Sequence, residues 1–341
     1  MEEDLTKKAI LTLGGAVLLP EGYELPTRIS HSTAGPGAGF GSFAFRFGRF
    51  RVKKSVSYET GEFELHVRDD GSLYLTRQGE PFLDEITIEP IVRHSPEQAF
   101  FNLDPRCMFH CVYCNSPNLD MSQDKHLSTE KIMAMLDESM ATQTVKAISF
   151  TSGVVGSIDR TVDRFVEVVS AAHAKYPDIP IGVEPYVSTR EHVQRLKDAG
   201  ASEIKVNLEA ARKDIFEKVC PDLDYDSVLN ILPVCVEVFG KGKVISNIIY
   251  GLGETDEDLE RIMEELCSMG VIPGLRALRS NGMNGSALEK AIGEIVPVTP
   301  ERVLKLARMQ KSIMAEHGLS CTSQTMCFGC GCCDLVPFKD L

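Results

Sequence analysis

The cysteines are the residues of this chain with the most chemistry to offer. Eleven occur in 341 residues, and none precedes Cys107. Three fall in Cys107-Met108-Phe109-His110-Cys111-Val112-Tyr113-Cys114, a C-x3-C-x2-C spacing, and five crowd between Cys321 and Cys333. A secreted disulfide framework spreads its bridges along a shorter chain, so two tight clusters point to metal or iron–sulfur ligation. Four cysteines would close a four-iron cube for electron transfer, whereas three leave one iron open to bind something else. Zinc would want a fourth ligand. His110 could supply it in principle, but it lies inside the x3 gap and would point away from a shared centre.

The second cluster comprises Cys321, Cys327, Cys330, Cys332 and Cys333. Such crowding exceeds any packing need, although isolated cysteines do pack in cores. A second [4Fe–4S] cluster is the leading reading, zinc held by four of the five is next, and a redox dithiol at Cys332-Cys333 is third. The lone Cys220, Cys235 and Cys267 fall on or near helical stretches and read as core.

Three regions position these residues. Residues 1–99 read as mostly β: 43–56 is rich in Phe, Val and Arg, 61–67 alternates apolar and polar, and Asp69-Asp70-Gly71 turns it into 72–76 as a hairpin. A further strand is expected at 85–88. The Gly-rich run 32–42 lacks the strand before and helix after that a phosphate-cradling loop needs, and reads as a flexible loop. Residues 100–298 alternate short apolar runs with amphipathic helices, the pattern of a parallel sheet. Strands are expected at 100–103, 147–150, 181–183, 203–208, 244–250 and 272–278. Helices are expected at 128–140, 158–175, 189–199, 225–239 (broken or started near Pro233) and 256–269. Six such units make a partial (β/α)6 TIM-like barrel, an α/β fold. Residues 299–341 add a helix opened by Thr299-Pro300-Glu301 and the cysteine-rich tail.

The first cysteine segment, its aromatic Tyr113 before the third cysteine and the β/α units that follow resemble the radical S-adenosylmethionine superfamily. The resemblance implies a [4Fe–4S] cluster on Cys107, Cys111 and Cys114 whose open iron chelates S-adenosylmethionine. It also implies that an electron from the cluster cleaves the sulfonium to a 5′-deoxyadenosyl radical. Thr151-Ser152-Gly153-Val154 looks like the family's small-residue motif, which places Ser152 and Gly153 at the cofactor's amino group. Glu184, in Gly182-Val183-Glu184-Pro185, would contact the amine or ribose. Lys205-Val206-Asn207-Leu208-Glu209 is similar to a segment of lipoyl and biotin synthases, so Asn207 and Glu209 would face cofactor and substrate. Gly251-Leu252-Gly253-Glu254-Thr255 is similar to a lipoyl synthase segment. Arg276 and Arg279 end the sixth strand, where an arginine would partner a cluster, a carboxylate or the cofactor.

Taken together the resemblance implies sulfur insertion into an unactivated C–H bond of an octanoyl group on a protein lysine, with the tail cluster as sulfur donor. Its auxiliary cysteines match neither bacterial lipoyl synthases nor biotin synthases, and the layout is nearer to the archaeal biotin-synthase-related proteins of two-component type. A ferredoxin or flavodoxin reductant, a second radical subunit and a lipoyl-carrier protein are the implied partners. The other readings are methylation, rearrangement or peptide modification with the tail cluster carrying electrons, or a non-catalytic iron–sulfur or zinc scaffold.

The formal net charge of -13 disfavours nucleic-acid binding through a broad basic face. The basic stretch Arg46, Arg49, Arg51, Lys53 and Lys54 reads as a solvated strand face. No apolar run approaches the ~20 residues that span a bilayer, and the first residues lack a signal-peptide core, so no membrane role and a cytoplasmic location are expected.

Overall fold

A computed structural model describes residues 2–119, 126–321 and 323–341. The chain opens with a helix absent from the sequence reading, α1 (Glu2–Leu13), which buries Leu5, Ala9 and Leu11. Seven strands follow: β1 (Val17–Leu18), β2 (Ser30–His31), β3 (Gly41–Phe47), β4 (Phe50–Ser57), β5 (Phe63–Val67), β6 (Leu73–Arg77) and β7 (Glu80–Glu89). They pair in the order β2-β3-β4-β1-β5-β6-β7. β7 is longer than the 85–88 expected, and its far end returns to β3, with Phe45 opposite Ile88. The sheet thus closes on itself, which leaves few unpaired edges. Inside lie Phe43, Phe45, Phe63, Leu65 and Leu75.

The second unit alternates strand and helix: β8 (Gln98–Asn102), α2 (Thr129–Thr142), β9 (Ala147–Thr151), α3 (Ile158–Lys175), β10 (Ile181–Glu184), α4 (Arg190–Asp198), β11 (Glu203–Lys205), α5 (Lys213–Val219), α6 (Tyr225–Phe239), β12 (Val244–Tyr250), α7 (Asp256–Met269) and β13 (Ile272–Ala277). All six strands are parallel and pair in chain order. Among the described residues β8 and β13 do not pair, so the barrel is partial, as expected. β9 and β12 are buried along their whole length, as strands covered on both faces must be. The helix starts follow capping chemistry. Ser128, Ser157, Thr189 and Thr255 each accept an N–H of the first turn, and Thr255 with Asp258 forms a reciprocal box. α6 runs unbroken through Pro233, where a break or start was expected.

Three more helices complete the chain: α8 (Gly285–Ile292), α9 (Pro300–Glu316) and α10 (Met326–Cys330). α9 packs on α1, α7 and β13. Past it the tail turns back into the barrel at the N-terminal ends of the strands. Gln98, the first residue of β8, clamps Met326: its Oε1 accepts the Met326 N–H at 2.5 Å and its Nε2 donates to the Met326 carbonyl at 2.9 Å. Glu203, the first residue of β11 and 1% exposed, accepts from Ser323 Oγ (2.8 Å), Gln324 N (3.1 Å), Thr325 N (3.0 Å) and Thr325 Oγ1 (2.5 Å). Gly182 lets Thr325 in, since a Cβ there would stand 2.6 Å from Thr325 Cβ and closer still to its hydroxyl. The tail is therefore a plug in the floor of the barrel. No helix among the described residues is long and apolar enough to cross a membrane.

Candidate functional site

The first cysteine loop leaves β8 at the C-terminal edge of the barrel and folds over the end of β9. Backbone bonds pin it there: Met108 N to Val154 O and Gly153 N to Asp104 O, both 2.8 Å. Residue 153 has to be glycine, because a Cβ would lie 2.7 Å from the Arg106 carbonyl carbon, closer to its oxygen, and 3.0 Å from Cys107 Cβ. Cys107 Sγ accepts the Val154 N–H and Cys114 Sγ accepts the Ser116 N–H, each at 3.4 Å. Backbone donors on sulfur are one of the levers by which a protein holds and tunes an iron–sulfur cluster. Cys107, Cys111 and Cys114 all open on one cavity of about 520 Å³. His110 is turned out to solvent, its side chain 71% exposed and its Nδ1 2.9 Å from Asp222 Oδ2, so it lies outside the sulfur set as its position implied.

Ser152, Gly153, Glu184, Asn207, Glu209 and Arg276 reach the same cavity from the C-terminal halves of the strands and the turns after them, and Tyr113 joins them. Lys205, 3% exposed, pairs with Glu184 Oε1 at 2.8 Å, and Asn207 Nδ2 donates to the same oxygen at 2.9 Å. Glu209 gets there differently from the strand alternation expected. β11 ends at Lys205, and Glu209 sits at φ +65°, bridging to β12 through Glu209 N–Asn247 O and Ile249 N–Glu209 O, both 2.8 Å. A non-glycine residue held left-handed is strain of the kind that collects at functional sites. Burial pushes the Glu209 carboxyl up to about 7, against the stabilising hydrogen bond of Tyr113 and with the Glu184 charge adding to the rise. Tyr113 is buried, and the Cys220 thiol donates to its hydroxyl at 3.8 Å.

The tail supplies the opposite wall. Cys327, Cys330 and Cys333 line the cavity, whereas Cys321 and Cys332 do not. Cys327 and Cys330 stand three residues apart on α10, one face of one turn. Gly331, left-handed at φ +66°, then ends the helix and swings Cys333 round. Cys332 is 2% exposed and its thiol donates to the Cys330 carbonyl at 3.5 Å. Hydrogen bonding from Cys332 draws the Cys330 thiol down to about 5, helped by Lys53 and Arg276, while burial lifts Cys333 to about 11 and Cys321 to about 12. Lys205 Nζ donates to Cys327 Sγ at 3.8 Å. Arg276 pairs with Asp334, and Arg279 donates to the Cys333 carbonyl at 2.7 Å. Among the described residues no three His, Cys, Asp or Glu side chains close on a single ion-sized point.

The N-terminal unit contributes more than the sequence suggested. Lys53 and Lys54 do not belong to a solvated face: Lys54 is 6% exposed and donates to Leu11 O at 2.7 Å, and Lys53 donates to His94 O at 2.6 Å and Ser30 Oγ at 3.2 Å beside the cavity. The Lys53 N–H also donates to Cys332 O at 2.9 Å, and Lys8 Nζ to Gly331 O at 3.0 Å, so β4 and α1 hold the tail in place. The Gly-rich run is not a free loop. Asn102, Asn115 and Asn281 donate side-chain N–H groups to Thr33 O, Pro36 O and Pro36 O at 2.9, 2.8 and 3.1 Å, drawing it across the seam between β8 and β13. Gln98, Glu203, Lys53, His94 and these asparagines escaped sequence reasoning, since their roles come from elements far apart in the chain.

Six parallel strands, a C-x3-C-x2-C loop on their C-terminal edge and a glycine-fitted turn beside it define a class. Residues 101–266 match the family described as the Radical SAM superfamily, and through this segment the chain belongs to it. Membership implies a [4Fe–4S] cluster with S-adenosylmethionine, and the three cavity-facing thiols fit that group. Within the superfamily the chain is similar to lipoyl and biotin synthases. It is 27% identical to lipoyl synthase of Haemophilus influenzae over 178 residues, 51% of this chain and 54% of that one. It is 27% identical to biotin synthase of Akkermansia muciniphila over 229 residues, 62% of this chain and 68% of that one. The chain thus spans about half the length of the lipoyl synthases it matches. Among solved structures, the FeFe-hydrogenase maturase HydG from Carboxydothermus hydrogenoformans superposes with a TM-score of 0.53 at 17% identity, over 64% of this chain and 52% of that one. Methylornithine synthase superposes with a TM-score of 0.51 at 13% identity, over 65% and 69%. Both show the shared fold.

Proposed function

We propose that this radical SAM enzyme inserts sulfur into an unactivated C–H bond, with an octanoyl chain on a protein lysine as substrate and an iron–sulfur centre in the tail as sulfur donor. One observation carries the reading: Cys107, Cys111 and Cys114 wall one cavity from above, and Cys327, Cys330 and Cys333 wall it from below. When bound, the first cluster and S-adenosylmethionine supply a carbon radical that takes a hydrogen atom. Each conversion removes one hydrogen atom from carbon, forms one C–S bond and leaves one electron on the donor's iron, so radical source and sulfur must share a space. In this reading the donor would sit in the barrel floor, where Gln98 and Glu203 hold the tail at the N-terminal ends of the strands.

The residues around that space have separable tasks. Gly153 admits the cysteine loop, and Glu184, Asn207 and Glu209 offer acceptors to the cofactor's amine and ribose. Lys205 and Arg276 compensate negative charge at the tail. A ferredoxin or flavodoxin as reductant, a second radical SAM subunit and a lipoyl-carrier protein belong to the same reading. The test is anaerobic reconstitution, followed by turnover on an octanoyl-lysyl peptide with labelled sulfide in the protein. Label in the product, with protein sulfide falling in step, supports the reading. Repeated turnover with sulfide unchanged would overturn it in favour of methylation, rearrangement or peptide modification with the tail carrying electrons.

A further inference from the structure

Of the five tail cysteines, only three share a wall. Cys327 and Cys330 occupy one face of α10, and the left-handed Gly331 returns the chain so that Cys333 comes to the same cavity. Their spacing is C-x2-C-x2-C, a run typical of iron–sulfur ligation. The other two are committed elsewhere. The carbonyl of Cys332 is taken by the Lys53 N–H, its thiol donates back to Cys330 O, and its side chain lies off the cavity. Cys321 does not line the cavity, and the Ser323–Thr325 segment that leads into α10 is clamped by Glu203.

Charge supplies a second, independent observation. Lys53 lines the cavity beside the tail, yet its ammonium hydrogen-bonds the uncharged Ser30 Oγ, His94 carbonyl and His94 ring, the last at 3.1 Å. No carboxylate pairs with it among the described residues. Lys205 already serves Glu184 and still reaches Cys327 Sγ at 3.8 Å. A half-buried cation without a counter-charge is costly, and a set of thiolates on the facing wall is the anion this arrangement fits.

We propose that Cys327, Cys330 and Cys333 alone hold the tail centre, a four-iron cluster on three thiolates, and that its fourth iron faces the cavity and exchanges small anionic ligands. This deepens the function proposed above and rests on it for the identity of the metal, but its test reads ligation and not turnover. Lys53 is a positioning residue that balances the centre's charge.

The experiment uses the full chain carrying Cys107→Ala, Cys111→Ala and Cys114→Ala, so that only the tail centre reports. About four irons per chain are expected there, as one cube requires. Adding Cys327→Ala, Cys330→Ala or Cys333→Ala should remove most of the iron, and adding Cys321→Ala or Cys332→Ala should leave it. Carbon-13 cyanide added to the reduced protein should produce a hyperfine coupling on the cluster's paramagnetic signal. Lys53→Met should leave the iron count and shift the reduction potential downward. Iron lost in the Cys332→Ala or Cys321→Ala protein, or zinc found in place of iron, overturns the ligand set. Absence of cyanide coupling overturns the open iron. Iron held by these three cysteines with no sulfide lost on turnover would sink the sulfur-insertion reading and leave this one standing. Iron held by other tail cysteines would do the reverse.

Discussion

Two glycines allow the first cysteine loop and the proposed tail centre to be disturbed one at a time. Gly153→Ala puts a Cβ 2.7 Å from the Arg106 carbonyl carbon and closer still to its oxygen, so that group must retreat by more than about 1 Å to reach the 3.4 Å of ordinary contact. The loop cannot yield cheaply, because the Met108 N–Val154 O and Gly153 N–Asp104 O bonds hold it on both sides. Overpacking of this kind costs about 1–3 kcal/mol, and a misplacement near 1 Å at a reacting group costs about 100-fold in rate. Cleavage of S-adenosylmethionine should therefore fall by about 10- to 100-fold, with iron lost from the first centre. Gly182→Ala pushes instead on Thr325, whose Cβ would be 2.6 Å away. It should displace the tail, cost the tail its iron and leave cofactor cleavage close to that of wild type. The assays are iron counting and 5′-deoxyadenosine production by the dithionite-reduced protein. Full iron and undiminished cleavage in Gly153→Ala, or cleavage lost in Gly182→Ala with tail iron kept, would refute the assignment of the two walls.

Three further outcomes follow from the same geometry. Glu203→Gln replaces an acceptor of four tail hydrogen bonds with a group that also donates. Charged acceptors contribute about 1.5–3 kcal/mol per bond, so unfolding should move to lower temperature and protease should cut the tail near residue 323 first. Glu184→Ala strands the Lys205 ammonium, 3% exposed, at a cost of about 3–5 kcal/mol; adding Lys205→Met should recover most of it, as a double-mutant cycle by denaturant unfolding would show. His94 is held down to about 3 from 6.5 by burial and then by the Lys53 charge. The unfolded chain therefore binds the extra proton first as pH falls. Stability present above pH 6.5 drains away toward pH 3, by up to about 4–5 kcal/mol, and His94→Gln should flatten that slope relative to wild type.

The six strands and five of the helices of the barrel were legible because each carries its own period, whereas α5 (Lys213–Val219), seven residues long, is too short to show one and was not expected. The first cysteine loop was legible for a similar reason, since its chemistry sits within eight consecutive residues. The N-terminal unit was harder. α1 carries weak periodicity, and the inward turn of Lys53 and Lys54 is decided by what closes over β4, not by the strand itself. The Gly-rich run looked free because its partners Asn102, Asn115 and Asn281 lie 69 to 245 residues away. The tail cysteines were visible as a group. Which three turn together depends on one left-handed glycine and on Glu203 and Gln98 in the barrel floor, and spacing alone does not contain that.

The plug in the barrel floor also sets an order of events. Lys8 meets Gly331 and Asp340 across 323 and 332 residues, and Gln98 meets Met326 across 228. Contacts of such span form late, because the chain between them must be ordered first. During synthesis the cysteine loop on β8 and its flanking strands can be complete before residues beyond 320 have been made. The upper thiols can thus come together on a nascent chain, whereas the lower ones wait until the tail has reached the barrel floor.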